Sequence, residues 1–432
     1  MDVNLKKFKL ERLDPISPTF CAAKWLFLDI YLHTGVTSSC HYPQPHKINF
    51  DQIENNVLKI HNTTDKMQQR ELMLNGQQPS VCSNCWNIEN ISNDVASARV
   101  VYSKVLEDED FSVLKADSII PPRYVNVVFD TYCNFKCTYC DGSQSSSWNT
   151  DLKTFGPIQT QSDTKKTYIR TGDEDVLSEE QYNNLLLKFT NMIVENLSSI
   201  KQITVLGGEP TMSPGFWKFL DLVTTLDGSQ LSMGIITNGS KINELIKYAG
   251  YKKYFKRLFL GVSIDGTGKT AEFVRCGLNW NDFNQNIEKL LDTTDIDIYF
   301  TGTLNILALD GLVNCLDWFL EKSKIYKDRV SLSLTVCRWP VFQAIGTLPI
   351  ELKINYIKDL RLWLQDNQKY CSIELIEQIN QVITLLDTPD NSDVKVLNDD
   401  LRLFVNEFSR RNNLDITTAF SSSLSSWILK KE

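Results

Sequence analysis

Nowhere in the 432 residues do apolar side chains run on for the ~20 positions that a membrane-spanning helix needs. The longest apolar stretches, such as Trp25–Leu32, have the length of a strand. Histidine is scarce: there are four, and none lies beyond residue 61. Acid–base chemistry in the later part of the chain therefore has no imidazole to use. An excess of basic residues is also missing. Forty-five Lys and Arg stand against 53 Asp and Glu, a net charge of −8, which argues against a surface built to coat nucleic acid or an anionic membrane. The first residues, MDVNLKKFKLERLD, lack the apolar stretch of a secretory signal, so the expected location is cytoplasmic. With 42% apolar and 23% charged residues, the composition excludes disordered, collagen-like and coiled-coil chains. At about 150 residues per domain, the length suggests roughly three domains.

One residue type is abundant. Eleven cysteines in a reducing compartment cannot be assumed to pair as disulfides, and an odd total leaves one over. Seven lie in the first 140 residues, at 21, 40, 82, 85, 133, 137 and 140, and four stand singly at 276, 315, 337 and 371. Such clustering points to metal ligation.

The segment Trp25–Ile30 and the stretch to Cys40 read as a hairpin, with His33-Thr34-Gly35 as its turn. Helical spacing follows from Asp51 to about Leu74, stopped by Asn75-Gly76, and PSVCSNCW then reads as a tight Cys-x-x-Cys turn. This first unit, 1–117, has few apolar positions for a core of its own, and a bound metal would supply what the core lacks. From Arg123 onward the pattern becomes an alternation of strands and helices. The strands are Tyr124–Phe129, Ile203–Leu206, Leu231–Ile236, Leu258–Ile264, Ile296–Leu304 and Val330–Val336, each followed by a helical segment. Six such units require right-handed crossovers and a parallel sheet. They are too few for a closed eight-stranded barrel, so the expected fold is α/β, a partial (β/α)6 TIM-type barrel over 118–365, with chemistry at the C-terminal strand ends. A helical extension is expected over 366–432. The Ser-, Thr- and Asp-rich stretch Gly142–Leu177, with Trp148 inside it, reads as a lid over the site or as a disordered insertion.

Directly after the first of these strands comes Cys133-Asn-Phe-Lys-Cys137-Thr-Tyr-Cys140. Three thiolates at spacings of four and three can hold three corners of a cubane iron–sulfur cluster and leave one iron open. An open coordination position distinguishes catalytic from structural metal sites. A zinc knuckle is the competing reading, but it wants a fourth ligand and only the awkwardly placed Asp141 is near. At the end of the second strand stands Leu206-Gly207-Gly208-Glu209-Pro210. Its glycines allow close backbone approach and Glu209 offers an acceptor for an ammonium group. Alone, these residues could also be a plain turn.

Together the two motifs resemble the radical S-adenosylmethionine superfamily, over most of the chain. The resemblance implies that Cys133, Cys137 and Cys140 hold a [4Fe-4S] cluster. Tyr139 would lie next to the adenine of S-adenosylmethionine, and Gly207, Gly208, Glu209 and Pro210 would meet the methionyl amino group. It extends to Thr237-Asn238-Gly239, to Ser263-Ile264-Asp265-Gly266 and to Arg275 in FVRCGLNW. Ser263 and Arg275 would then hold the methionyl carboxylate, Asp265 or Asn238 the ribose region, and Asn305 would also touch the cofactor. The implied chemistry is reductive cleavage of S-adenosylmethionine to a 5′-deoxyadenosyl radical, which abstracts a substrate hydrogen. An electron donor such as flavodoxin or ferredoxin is implied as partner.

Cys21, Cys40, Cys82 and Cys85 are enough to close a second site, and from spacing alone structural zinc is the default. The same segments resemble a twitch module, half of a SPASM domain, placed before the barrel rather than after it. The resemblance implies an auxiliary [4Fe-4S] cluster, with [2Fe-2S] or zinc as alternatives. The chain departs from that pattern at Lys24, where proline is usual, and at His41, where a second cysteine is usual. Cys337, ending the sixth strand, is a candidate hydrogen donor, with Arg338 and Trp339 beside it; Cys276, Cys315 and Cys371 read as packing residues. The substrate class is left as a peptide or a small molecule, with nucleic acid weakly supported. The absence of room for a leader-binding domain before the twitch module counts against a peptide. The competing class is a non-catalytic zinc or iron–sulfur protein of regulatory or structural role.

Overall fold

The computed structural model describes residues 3–91, 96–161, 176–388 and 394–430. Among them are eleven strands: β1 (Phe27–Tyr31), β2 (Val36–Ser38), β3 (His46–Lys47), β4 (Tyr124–Val128), β5 (Lys136–Cys137), β6 (Gln202–Leu206), β7 (Ser232–Thr237), β8 (Arg257–Ser263), β9 (Arg275–Cys276), β10 (Asp297–Leu304) and β11 (Val330–Val336). Nine form one open sheet in the order β11-β10-β8-β7-β6-β4-β1-β2-β3. From β11 to β1 all neighbours are parallel, and only β1–β2 and β2–β3 are antiparallel. β5 and β9 make a separate two-stranded ribbon.

The expected six strands are thus present in the expected order, and three of the helices between them begin on residues that satisfy their free N–H groups. Ser178 and Gln181 form a capping box on helix Glu179–Glu195, Ser213 caps Pro214–Val223, and Asn279 caps Trp280–Thr293. Each helix turns an apolar stripe to the sheet, as Phe216, Phe219, Leu220 and Val223 do. At the C-terminus, helices Ile373–Asp387 and Val394–Asn412 add Ile379, Phe404 and Phe408 to the same core. Residues 389–393, between these two helices, lie outside the described residues.

The N-terminal hairpin does more than turn back on itself. β1 pairs with β4 over five positions, Phe27↔Tyr124 to Tyr31↔Val128, so the large sheet runs on into the first unit. Phe27–Ile30 is buried throughout, as a strand covered on both faces must be, and its one polar side chain, Asp29, accepts from Asn126 at 2.8 Å. That unit also has a small core of its own, contrary to expectation, in which Phe8, Phe20, Trp25, Met73, Trp86 and Phe111 pack together. Two local expectations are corrected. The segment Asp51–Leu74 is three helical pieces, because Asn56 and Thr63 leave helical geometry to cap the next piece through their side chains. The segment PSVCSNCW is a short 3-10 turn, Ser80–Cys82, running into helix Ser83–Ile91, so the two cysteines stand at a helix start and not on a ribbon turn. Among the described residues, no helix is long and apolar enough to cross a membrane.

Candidate active site

The loops that follow β4, β6, β7, β8, β10 and β11 all leave the C-terminal edge of the parallel sheet, and most candidate residues of this part of the chain stand on or beside them. The loop after β4 holds Cys133, Cys137 and Cys140, and it is fastened from several sides. Ser146 Oγ accepts from the Cys133 N–H at 3.0 Å, Ser147 donates to the Cys133 carbonyl at 2.7 Å, and Ser145 donates to the Phe135 carbonyl at 2.7 Å. Trp148, fully buried, donates its indole N–H to the Cys137 carbonyl at 2.9 Å. The Ser-rich run is therefore a clamp beneath the cysteine loop and the start of helix Ser146–Phe155, not a lid. The remainder of that stretch, 162–175, lies outside the described residues. On the far side, β5 pairs with β9, Cys137 opposite Arg275, and Gln343 reaches from beyond β11 to donate to the Thr138 carbonyl at 2.7 Å. Burial pushes the Cys133, Cys137 and Cys140 thiols upward, Cys137 to about 12, and each of the latter two is raised further by the others' charge.

Gly207 and Gly208 make room for that loop. Gly207 has φ +121°, and a Cβ there would sit 2.8 Å from the Asp130 carbonyl. A Cβ on Gly208 would sit 2.3 Å from the Tyr132 carbonyl, which accepts the Glu209 N–H at 2.6 Å. The close approach is thus between two segments of this chain. Glu209 is buried and its carboxylate accepts from Thr211 N–H and O–H, from Thr237 O–H at 2.9 Å and from Asn238 N–H at 2.7 Å. Burial raises its pKa, and those donors oppose the rise. Pro210 begins the following 3-10 turn. Asn238 also donates to Asn134 at 3.0 Å, with its amide 4.0 Å from the Cys133 sulfur. Its contacts are with the cysteine loop.

Tyr139, Asp265 and Arg275 converge although they come from three loops. Tyr139 donates to Asp265 Oδ2, and the Arg275 guanidinium lies 2.7 Å from the Tyr139 oxygen and 2.8 Å from Asp265 Oδ2. Thr303 N–H holds the other Asp265 oxygen at 2.6 Å. Ser263, half-buried, ends β8 two residues earlier. Asn305 is fully buried and caps helix Ile306–Leu309, accepting from Leu307 and Ala308. Two buried donors lack an acceptor here, Arg275 Nε and Asn305 Nδ2. Surplus donors fit a ligand bearing a carboxylate and hydroxyl oxygens.

The second cysteine set also comes together. Cys21, Cys40, Cys82 and Cys85 line one pocket with Lys24, Tyr42, Trp86, Arg99 and Tyr102. Cys21 is pushed up to about 11 by burial and then by Cys82 and Cys85, and burial likewise raises Cys40 and Cys85. Exposed His41 stacks on Tyr42 outside this lining. Among the described residues, no three His, Cys, Asp or Glu side chains stand close enough to clasp a single metal ion. Sulfurs bound to different irons of a cluster need not stand that close together.

Cys337 is buried at the end of β11, where its thiol donates to the Trp339 carbonyl at 3.0 Å, and it lies close enough to Asp265 to feel that charge. Arg338 donates to Asn84, between Cys82 and Cys85, at 2.9 Å, and lies over the Tyr42 ring at 5.6 Å. It joins the strand-end site to the second cysteine pocket. Cys315 is buried in helix Leu312–Tyr326, whereas Cys276 is half-buried in β9 beside Lys136 and Asp151, and Cys371 is half-buried before helix Ile373–Asp387. Sequence reasoning passed over Ser145, Ser146, Ser147 and Gln343. The serines carried a signal, since three hydroxyls just before a helical run can cap it and hold a neighbouring loop.

Residues 127–311 match the Radical SAM superfamily model, which supports that superfamily for this chain. Over 200 residues the chain is 24% identical to the GTP 3′,8-cyclase of Psychromonas ingrahamii, covering 41% of this chain and 48% of that protein. Among solved structures, native anSMEcpe with bound AdoMet is 15% identical over 56% of this chain and 61% of its own, at a TM-score of 0.36. Streptococcus suis SuiB bound to S-adenosylmethionine is 10% identical over 79% of this chain and 68% of its own, at a TM-score of 0.34. The chain spans about half the length of the curated relative it matches.

Proposed function

We propose that this chain is a radical S-adenosylmethionine enzyme with a partial-barrel catalytic unit and an N-terminal twitch module. The observation that carries this reading is the direct junction of the three-cysteine loop with Gly-Gly-Glu-Pro, Glu209 N–H on the Tyr132 carbonyl, at adjacent strand ends. When bound, a [4Fe-4S] cluster and S-adenosylmethionine supply one-electron cleavage of the sulfonium and, from it, hydrogen abstraction from a peptide or small molecule.

The residues divide that work. Cys133, Cys137 and Cys140 would hold three irons, as thiolates released from the protonated state that burial favours in the metal-free chain. Asn238 would donate toward the Cys133 sulfur. Tyr139, clamped by Asp265 and Arg275, would present its ring to the adenine, and the free Nε of Arg275 would take a carboxylate oxygen. Gly207 and Gly208 seat the cysteine loop, and Glu209 and Pro210 shape the turn that meets the amino group. Asn305 would use its free amide toward the ribose, and Ser263 would support the carboxylate. Cys21, Cys40, Cys82 and Cys85 would hold an auxiliary cluster, four thiolates being a complete ligand set for one. Flavodoxin or ferredoxin would deliver the electron.

The test is anaerobic reconstitution with iron and sulfide, reduction with dithionite, and assay for 5′-deoxyadenosine. Cofactor cleavage is expected without added substrate. A fully loaded, reduced sample that leaves S-adenosylmethionine intact would sink the reading.

A further inference from the structure

Beside the auxiliary pocket stand three buried basic side chains that make no direct ion pair among the described residues. Lys24 and Lys66 are 2% and 0% exposed, and Arg70 is 0% exposed. Their hydrogen bonds go to neutral groups. Lys24 donates to the Gln69 amide at 2.6 Å and Lys66 to the Thr37 hydroxyl at 3.3 Å. Arg70 donates to the Lys24 and Ser118 carbonyls and to Asn62. Among the described residues, none of the three lies within ion-pair distance of a carboxylate. Asp29 is buried in the same region, bonded to Asn126 at 2.8 Å. Arg99, on the pocket wall, is already neutralised by Glu89 at 2.7 Å.

With all three protonated, the basic side chains would exceed Asp29 by two positive charges in a dry environment. Such an excess is costly, since a buried charge needs a counter-charge. Burial holds the Lys66 pKa well below its ordinary value, Arg70 and Lys24 lower it further, and Asp29 and Cys40 favour its charged form. The four cysteines are a store of negative charge on this side, for Lys24 lies on their pocket wall and Lys66 is near enough to Cys40 to feel its charge. Four thiolates on an oxidised [4Fe-4S] cluster make a doubly negative centre.

Resting on the auxiliary-site reading above, we propose that Lys24, Lys66 and Arg70 are positioning residues, a buried cation triad that is balanced only when the Cys21/Cys40/Cys82/Cys85 pocket holds an anionic metal–thiolate centre. A second consequence follows for a redox-active centre. Nearby fixed cations favour the more negative, reduced form, so the triad raises the reduction potential and makes the centre a better electron acceptor.

The experiment uses the full chain with Cys133→Ala, Cys137→Ala and Cys140→Ala, so that all bound metal belongs to the N-terminal pocket. Loaded and chelator-treated forms are compared for that protein and for added Lys66→Met, Lys66→Gln and Lys66→Arg. Lys66→Met and Lys66→Gln should raise Tm in the metal-free form, lower it in the loaded form, and speed iron loss to chelator at least tenfold. The midpoint potential should fall, a tenfold weaker hold on the electron being about 59 mV for a one-electron couple. Lys66→Arg, which keeps the charge, should restore the loaded values. Parallel Tm shifts in both forms, or an unchanged potential with iron bound, would overturn the triad's role. Bound zinc in place of iron would remove the auxiliary-cluster reading, while opposed Tm shifts would still support the triad. A folded parent protein that binds neither metal would overturn both.

Discussion

Gly208 is a single residue on which two chain segments depend. A methyl group there would meet the Tyr132 and Thr131 carbonyls at 2.3 and 2.7 Å, and backbone cannot move aside as a side-chain tip can. Gly208→Ala is expected to cost about 1–3 kcal/mol and to lower iron incorporation, read from denaturant unfolding and iron analysis. The buried thiols set a pH dependence. Cys21 and Cys137 are raised from 9.0 to about 11 and about 12, so folding favours their protonated form. That contribution to the metal-free fold is complete below pH 9 and disappears as pH rises through 11 to 12, which alkaline unfolding of the metal-free protein would detect. Metal uptake has the opposite dependence, because it displaces those protons, and its apparent affinity should rise with pH across the neutral range.

At the scale of elements, the C-terminal helix Val394–Asn412 is tied to the cysteine loop through one buried carboxylate. Asp151 receives Lys136, from β5, at 2.9 Å and Arg411 at 3.0 Å, and Arg411 also reaches the Gly156 carbonyl at 2.7 Å. Arg411→Met would leave Asp151 to Lys136 alone. A loss of about 2 kcal/mol is expected, less than for a fully stripped buried charge, with looser packing of Trp148 on Phe408 visible in tryptophan fluorescence. The six strands of the parallel sheet were legible within a residue or two because each carries its own apolar, β-branched run. The role of Ser145–Ser147 was not, since hydroxyls that bond a loop before them leave the same trace as a polar linker.

For the whole molecule, the parallel sheet crosses from the first unit into the strands that follow residue 123 through β1 and β4. A chain beginning at residue 118 would expose the β4 edge over five positions. Such a fragment is expected to aggregate, which size-exclusion chromatography would show; a soluble monomer would contradict this. Conversely, replacing Cys133, Cys137 and Cys140 by Ala should leave the sheet intact, remove about four irons per chain and abolish cofactor cleavage. Unchanged iron content would place the cluster elsewhere.

The chain by itself determined the α/β order and the two cysteine groups, because alternating periods and short-range thiol spacing are local properties. It also marked Tyr139, Asp265 and Arg275, though not that they would meet. Only the tertiary structure decided that β1 joins the large sheet, that Gly207 and Gly208 admit this chain's own carbonyls, and that Arg338 reaches Asn84 between Cys82 and Cys85. It also decided that Lys24, Lys66 and Arg70 are buried together. Residues 42 to 46 apart contribute to that one charge cluster, and burial of charge is a property of the packed interior, which no local pattern encodes.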